Sequence, residues 1–565
     1  MKHSETLCAT SSALLRLAGY IFLRWIPSSA IPNILYALFA VYITSFVISF
    51  NSQVTDDPVH KSKHVKYPSA AGIILGGAPN IDRPYLTLLT VFINLSILLF
   101  SVDLVYTSFK VIPAMALTLT RIGYVSSTSA AFVVRDPFSE QVLLRYKQIP
   151  LTTANVSQEF VFEEDAWSGW SQVTVSESRL TEDVDYTTSI VLSELAPQTR
   201  YVYSAPGLNS SFVTAASETT PAGSFSFLAS SCIKARVPYS PFDNPLTIHG
   251  YRIHAFLLPT VDFFLFLGDF TYADVPKLMG TTTEAYRRHY RQVYADLKRL
   301  LWNSLPTIHV FDDHEIINDY DPLSVDLYEP AIEDAWKLYQ AAGNPAPVRE
   351  NTTYYAFERQ GVPFFLLDTR TYRSVKADVD DAQKTMLGAQ QLQDFHAWLV
   401  ANAAAPVKFV VSSIPFTKNW NAGVDTKDTW AGYLHERAKV LEWIKNEGGG
   451  GVLFLSGDRH EAAAIRFPFL ESGEKHANDV YEFSTSPFSQ FYVPIRTHYQ
   501  VDDEDVTIMY LPSGNSKVGK VEVEYDEAGE VKVVYRLFID GKERWVWNML
   551  RGSNSYETEW TPGPV

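Results

Sequence analysis

The sequence predicts an α/β body preceded by an all-β module and, before that, a pair of membrane helices. Three observations carry this reading. Long uncharged stretches occupy residues 1–113, short alternating runs fill 114–222, and near-continuous apolar strands alternate with amphipathic helices over 223–550. With 565 residues, 46% apolar and 19% charged, the chain has material for about two to four packed domains and is not a disordered polymer. Lys plus Arg number 47 against 63 Asp plus Glu, a net charge of −16, so no broad basic face is available and nucleic acid is not an expected partner. Two cysteines, Cys8 and Cys232, exclude a disulfide scaffold. A mean hydropathy of −0.05 is too polar for a multi-span transporter.

The elements follow in order. Ile31 to Phe50 holds no charge over twenty residues, the length that crosses ~30 Å of hydrocarbon. Tyr85 to Val102 is equally uncharged, and apolar character resumes as far as Phe109, so helices are expected over 31–50 and 85–107. Leu14 to Trp25 is short and carries Arg16 and Arg24, which suits an interfacial helix. The expectation is an integral membrane protein with two spans, which places the N-terminus and the large body on one side. The flanking basic residues are balanced and leave orientation open. Sequons at Asn155, Asn209 and Asn351 fit a lumenal or extracellular body.

Residues 114–222 supply strand-length runs around Ala130–Val134, Gln141–Tyr146, Gln172–Val175, Thr188–Leu192 and Arg200–Tyr203, separated by polar turns. The stretch from Leu195 to Tyr203 resembles the Leu-x-Pro-x-Thr-x-Tyr corner of fibronectin III and Ig-like modules, which makes its residues structural and the module a spacer or wall.

In 223–550, strands are expected at Phe225–Ala229, Val261–Leu267, Thr307–Phe311, Pro363–Leu367, Val407–Ser412 and Val452–Leu455. Glu284 to Trp302 has helical periodicity, with Tyr286, Tyr290, Val293 and Leu297 facing a core and Arg287, Arg288, Arg291 and Lys298 read as a solvated face. Lys520–Tyr525 and Val531–Phe538 form a hairpin, and 551–565 is a tail. Chemistry gathers where strands end: Ser230-Ser-Cys232, Gly268-Asp-Phe-Thr-Tyr272, Asp312-Asp-His-Glu315 with Asn318 and Asp319 beyond, and Gly457-Asp-Arg-His460. Each has an ordinary explanation alone. Together, clustered carboxylates repel one another and lose solvation unless a cation joins them. Imidazole and carboxylate suit divalent ions, oxygen-rich sets select calcium, magnesium or manganese, and thiolate with phenolate points to iron.

These motifs, with Leu367-Asp-Thr-Arg-Thr-Tyr-Arg373 and Asp428-Thr-Trp-Ala-Gly-Tyr-Leu-His-Glu-Arg437, resemble the PhoD-like (alkaline phosphatase D) branch of the calcineurin-like metallophosphoesterases over about 115–550. The resemblance implies a four-layer α/β/β/α sandwich and a metal-dependent phosphatase or phosphodiesterase. It implies Fe3+ and Ca2+ as cofactors, with other divalent ions as alternatives. Carried over by position, Cys232, Asp269, Tyr272, Asp313, Asn318 (or Asp319), Asp458 and His460 would bind metal, with Asp269 bridging. Asp313 and His314 would be catalytic, His314 assisting departure of the alcohol from a phosphate attacked by metal-bound hydroxide. The family's usual Asn is Asp313 here, and its first C-terminal His is Asp458, which enriches the second site in oxygen. Arg370 and Arg373 would hold substrate oxygens, pairing with local carboxylates being the alternative. Trp420, Asn421 and Trp430 would line the mouth.

The function expected is therefore a membrane-anchored phosphoesterase acting on phosphomonoesters, phosphodiesters or both. The alternative is a catalytically silent phosphatase fold serving as a binding scaffold at a membrane. The natural substrate, the oligomeric state and the role of Cys8 are not legible.

Overall fold

The computed structural model describes residues 2–55, 69–112, 114–139, 141–151, 169–175, 180–217, 223–423, 425–470, 475–526 and 530–551, with the backbone of 556–562. The sequon at Asn155 and, in the expected tail, 552–555 and 563–565 lie outside the described residues, while Tyr556–Pro562 of that tail forms a strand. Two compact units emerge: one comprises Met1–Ile112 with Arg236–Pro245 and Asp274–Met279, the other the rest.

The first unit is helical: α1 (Lys2–Arg24), α2 (Ile31–Thr55), the short α3 (Ala70–Gly76) and α4 (Pro84–Tyr106). Three helices among the described residues, His3–Arg24, Ile31–Thr55 and Pro84–Lys110, are long and apolar enough to cross a membrane. The stretch Leu14–Trp25, expected as a short interfacial helix, is the second half of the longer α1, which starts at Lys2 and passes through Arg16. The Arg16 guanidinium donates to Asn94 Oδ1 (2.7 Å), Thr90 Oγ1 (2.6 Å) and the Ile74 carbonyl, so its polar groups are met inside the helical unit. Cys8 is buried, its thiol 3.5 Å from the Gly77 carbonyl. Asp103 in α4 pairs with Arg236 Nη2 (2.5 Å) and accepts from the Tyr239 hydroxyl (2.7 Å). The Tyr239 N–H bonds Leu23 O (2.9 Å), and Lys277 Nζ donates to the Tyr106 hydroxyl (3.2 Å).

The second unit opens with two small antiparallel sheets. One holds β1 (Leu119–Val125), β2 (Ala130–Arg135) and β5 (Thr187–Leu192). The other orders β4 (Ser171–Val175), β3 (Val142–Ile149), β6 (Arg200–Ala205) and β7 (Leu208–Val213). Period-two alternation puts Phe132, Ile190, Leu144, Tyr203 and Phe212 into one core. At its corner the Ala196 N–H donates to the Tyr201 hydroxyl (2.8 Å), the structural role expected of that tyrosine.

Beyond residue 223 lie two seven-stranded sheets. In the first, β8 (Phe225–Ser230), β9 (Phe263–Leu267) and β10 (Thr307–Val310) run parallel. Beside β8 follow β18 (Lys517–Tyr525), β19 (Val531–Ile539), β20 (Lys542–Arg551) and β21 (Tyr556–Pro562), the first two being the expected hairpin. The second sheet orders β11 (Tyr355–Arg359), β12 (Val362–Leu366), β13 (Lys408–Val411), β14 (Val452–Ser456), β16 (Val480–Thr485), β15 (Ala462–Phe467) and β17 (Val506–Leu511). The sheets meet through aromatic rings: Phe227 lies 5.6 Å from Phe364 and 5.3 Å from Phe409, and Phe483 lies 4.2 Å from Tyr535. Helix α5 (Thr283–Arg299), capped by Thr282, adds Tyr290 and Tyr294 beside Phe270. Helices α6 (Gly388–Ala401) and α7 (Leu434–Glu447) bring Phe395, Leu399, Val440 and Ile444 to the other side of the second sheet. Strands covered on both faces read as continuous apolar runs, which is why they were legible.

The basic residues of α5 are not all solvated, as the sequence suggested. Arg291 is fully buried and Arg287 nearly so. Asp185 receives Arg135 Nη2 (2.8 Å) and Arg291 Nη1 (2.5 Å), and also the Tyr339 hydroxyl. Arg121 donates to the Tyr339 (2.9 Å) and Gln340 (2.7 Å) carbonyls. Buried cations need such partners, and here they join the small β module to the larger α/β region.

Candidate metal centre

The parallel strands β8, β9 and β10 end at one edge, and their chain exits carry the chemistry. Cys232, Asp269, Asp458 and His460 all have left-handed backbone, with φ of 63°, 57°, 71° and 58°. Non-glycine residues adopt that region at a cost, and four together mark loops held in place for their side chains. Gly268, at φ 101°, permits the turn: a Cβ there would come within 2.7 Å of the Asp312 Cβ, so the β9 and β10 loops touch only because it is absent.

Side chains from all four motifs converge. Cys232 Sγ lies 3.3 Å from Asp269 Oδ2 and 3.0 Å from Ser231 Oγ. The Tyr272 hydroxyl donates to Asp269 Oδ2 (2.7 Å) and lies 3.1 Å from His460 Nε2. The His314 ring stacks on Tyr272 at 4.1 Å, and its backbone N–H donates to Asp269 Oδ1 (3.3 Å). Four overlapping groups place ligand atoms within 4.8 Å of one another: Cys232/Asp269/His460, Asp269/Asp313/His314, Asp269/Asp312/Asp458 and Asp313/Asp319/Asp428. Asp269 belongs to three of them.

Electrostatics favour a cation. Burial pushes the Cys232 thiol, the Tyr272 phenol and the Asp269 carboxyl well above their ordinary ranges, and holds His460 well below its own. Buried Asp312 Oδ2 and Asp313 Oδ1 have no hydrogen-bond partner among the described residues. Carboxylate oxygens without hydrogen bonds beside a thiol, a phenol and an imidazole are the donor set that one or two metal ions satisfy. The residues therefore fit a metal pair, with the softer donors Cys232, Tyr272 and His460 on one side of Asp269 and the all-carboxylate group of Asp313, Asp319 and Asp428 on the other.

Of the two residues offered after the Asp-Asp-His-Glu motif, Asp319 joins a group while Asn318 is exposed beside it. The reading of Arg370 and Arg373 as substrate ligands is corrected by their burial: both are fully enclosed. Arg370 Nε bonds Asp312 Oδ1 (2.5 Å) and its Nη1 bonds Asp428 Oδ1 (2.8 Å), while Nη2 faces Asp313 Oδ1 at 3.6 Å. Arg373 donates to Asp428 Oδ1 (2.8 Å) and the Tyr320 carbonyl. They hold carboxylates in place. Trp420 and Trp430 are likewise core residues instead of mouth residues: Trp420 Nε1 bonds Glu461 (2.6 Å), and Trp430 packs 5.0 Å from Phe416. Asn421 is exposed and donates to the Tyr499 carbonyl (2.8 Å).

Sequence reasoning assigned Glu315 no role. It is fully buried and accepts the backbone N–H groups of Asp269 (3.0 Å), Phe270 (2.5 Å), Thr271 (3.3 Å) and Asp312 (2.8 Å). Its place in the motif was visible, but the two loops it ties become neighbours only in the fold. Lys517 was also missed: fully buried, it donates to the His460 (3.0 Å) and Gly514 (2.8 Å) carbonyls.

A family model described as PhoD-like phosphatase matches residues 245–534. Alkaline phosphatase D of Bacillus subtilis (strain 168) is 27% identical over 213 residues, covering 32% of this chain and 36% of its own length. The match thus spans about a third of that relative. A solved structure titled "Structure of PhoD" superposes with a TM-score of 0.59 at 16% identity, covering 80% of this chain and 92% of the other. At that identity the likeness concerns the fold.

Proposed function

The chain belongs to the PhoD-like phosphatase family, and from that premise we propose that it is a metal-dependent phosphoesterase held at a membrane by its N-terminal helices. The observation that carries the reading is the sharing of Asp269 by three ligand groups that also take in the Cys232 thiol, both histidines and the carboxylates of Asp312, Asp313 and Asp458, with the Tyr272 hydroxyl 2.7 Å from Asp269 Oδ2. The two facing sheets with helices outside them support the four-layer α/β/β/α reading of 223–550, and the preceding sheets with the Tyr201 corner support an Ig-like or fibronectin III-like module.

Cys232, Asp269, Tyr272 and His460 would hold iron, and Asp269, Asp313, Asp458 and Asp319 would hold calcium, Asp428 lying within reach. When bound, such a pair supplies a water acidic enough to attack near neutral pH and positive charge against the phosphoryl oxygens. The protein's own part is positional. Glu315 fixes the loops of Asp269 and Asp312, while Arg370 and Arg373 aim Asp312 and Asp428. His314, half-buried and stacked on Tyr272, would deliver a proton to the departing alcohol oxygen. The substrates are phosphomonoesters, phosphodiesters or both. Three helices of spanning length support a membrane anchor with three spans, which would set the N-terminus and the body on opposite sides.

The test uses the full chain in detergent. Metal analysis is expected to find iron and a second divalent ion, with hydrolysis of a chromogenic monoester or diester. Asp269→Ala is expected to lose both metal and turnover, and normal turnover in that variant would reject the site.

A further inference from the structure

Three arginines border the carboxylate-rich half of the centre, and two of them are committed. Arg370 and Arg373 are fully enclosed, with hydrogen bonds to Asp312 and Asp428. Lys376, the other cation at this edge, is saturated by Asp319 (3.0 Å) and Asp425 (3.1 Å).

Arg459 is the more open and the less bonded of the three, although Arg370 Nη2 and Arg373 Nε also lack hydrogen-bond partners among the described residues. It stands between Asp458 and His460, and its side chain keeps 11% of its surface open. Its Nε lies 2.9 Å from Asp458 Oδ2, yet neither atom has a hydrogen-bond partner among the described residues, so the pair is electrostatic and poorly aligned. Among the described residues its Nη2 reaches the Asp425 carbonyl alone, at the long distance of 3.5 Å. A planar fork with five donors is therefore weakly engaged, partly open to solvent, and against a carboxylate of the Asp269/Asp312/Asp458 group. Guanidinium matches two oxygens of a tetrahedral phosphate, and charge-assisted bonds of that kind are the strong ones.

We propose that Arg459 is the substrate-contacting arginine of this centre, binding the non-bridging oxygens of the phosphate group. The proposal rests on the phosphoesterase reading, and it moves the role expected of the enclosed Arg370 and Arg373 to a residue that the sequence pattern left without one. Asp458, 2.9 Å from Arg459 Nε, would position the fork, and a cation held by Asp458 would leave the guanidinium for the incoming anion.

Inorganic phosphate titrated calorimetrically into the metal-loaded full chain tests this without turnover. Arg459→Ala is expected to weaken phosphate binding about 10- to 100-fold with metal content unchanged. KM for the ester should rise by a similar factor while kcat falls less, and Arg459→Lys should restore part of the affinity. Phosphate affinity within twofold of the parent in metal-replete Arg459→Ala would overturn the assignment. So would loss of metal in both Arg459→Ala and Arg459→Gln, which would make the residue a support for Asp458. Parent protein that takes up metal yet shows no phosphate binding at millimolar concentration also overturns it. Parent protein that binds phosphate through Arg459 but cleaves no ester would instead count against the phosphoesterase reading.

Discussion

Glu315 accepts the backbone N–H of Asp269 at 3.0 Å while its Oε2 also takes the N–H of Asp312 at 2.8 Å, so one buried carboxylate ties the exits of β9 and β10 together. Removing it strands four buried donors, each costing about 1–3 kcal/mol. Glu315→Ala is expected to lose at least about 3 kcal/mol of stability and most bound metal. Glu315→Gln, which keeps one acceptor oxygen, should retain more of both. Chemical denaturation and metal analysis of the two variants check this, and equal metal content in all three proteins would refute it.

The thiol makes a separate prediction. Burial holds Cys232 protonated well above the usual thiol range, so only a cation at hand makes its thiolate favourable. Thiol-directed alkylation should therefore distinguish two states of the full chain. The metal-loaded protein should resist modification at Cys232, and chelator treatment should bring slow labelling as the loops open. Cys232→Ser is expected to lower iron content severalfold while leaving the oxygen-liganded ion largely in place. Unchanged iron in that variant would remove Cys232 from the ligand set.

Asp185 lies between two fully enclosed guanidinium groups, Arg135 and Arg291. Deleting the shared anion leaves both cations buried without it, which costs about 3–5 kcal/mol in comparable cases. Asp185→Ala should lower the unfolding temperature markedly, and Asp185→Asn by less. A shift of under 2 °C in thermal unfolding of Asp185→Ala would show that the pairing contributes little.

His254 supplies the pH dependence. It is fully buried, 5.6 Å from the ring of Phe488, and burial lowers its pKa from 6.5 to about 4. The neutral ring is the form the fold accepts, so stability is fully present above pH 6.5 and is lost as pH falls toward 4. The difference amounts to about 3 kcal/mol below that point. In His254→Phe the stability curve between pH 6.5 and 4 is expected to flatten by that amount. A parent curve already flat across this window would count against the assignment.

How much was readable in advance follows a physical line. Strands β8, β9, β10 and β14 were legible because both faces are covered, and the motifs at their ends were legible because few explanations unite thiol, phenol, imidazole and carboxylate. What needed the fold were partnerships across long sequence separations. Arg370 and Arg373 match phosphate as well as they match Asp428, which lies more than fifty residues on, and only burial decides between those uses. Arg291 looked like one charge on a solvated helix face until the turn before β5 brought Asp185 against it. Arg16 looked like a charge that suits a helix to the interface, whereas Asn94 and Thr90, some eighty residues later, meet its donors. Trp420 and Trp430 gave no local sign of facing inward.

The pairing of Asp103 with Arg236 carries a practical consequence for anyone wishing to handle this protein without detergent. Arg236 is nearly fully enclosed, and its carboxylate partner, like the backbone acceptor of Tyr239 at Leu23, comes from the first 112 residues. A version trimmed of its greasy leader would bare a cation, a phenol and a carbonyl-hungry amide four to seven positions downstream of Cys232. Solubility gained that way would come with a loosened stretch next to the thiol, so any shortened form is best judged against the intact chain reconstituted in lipid.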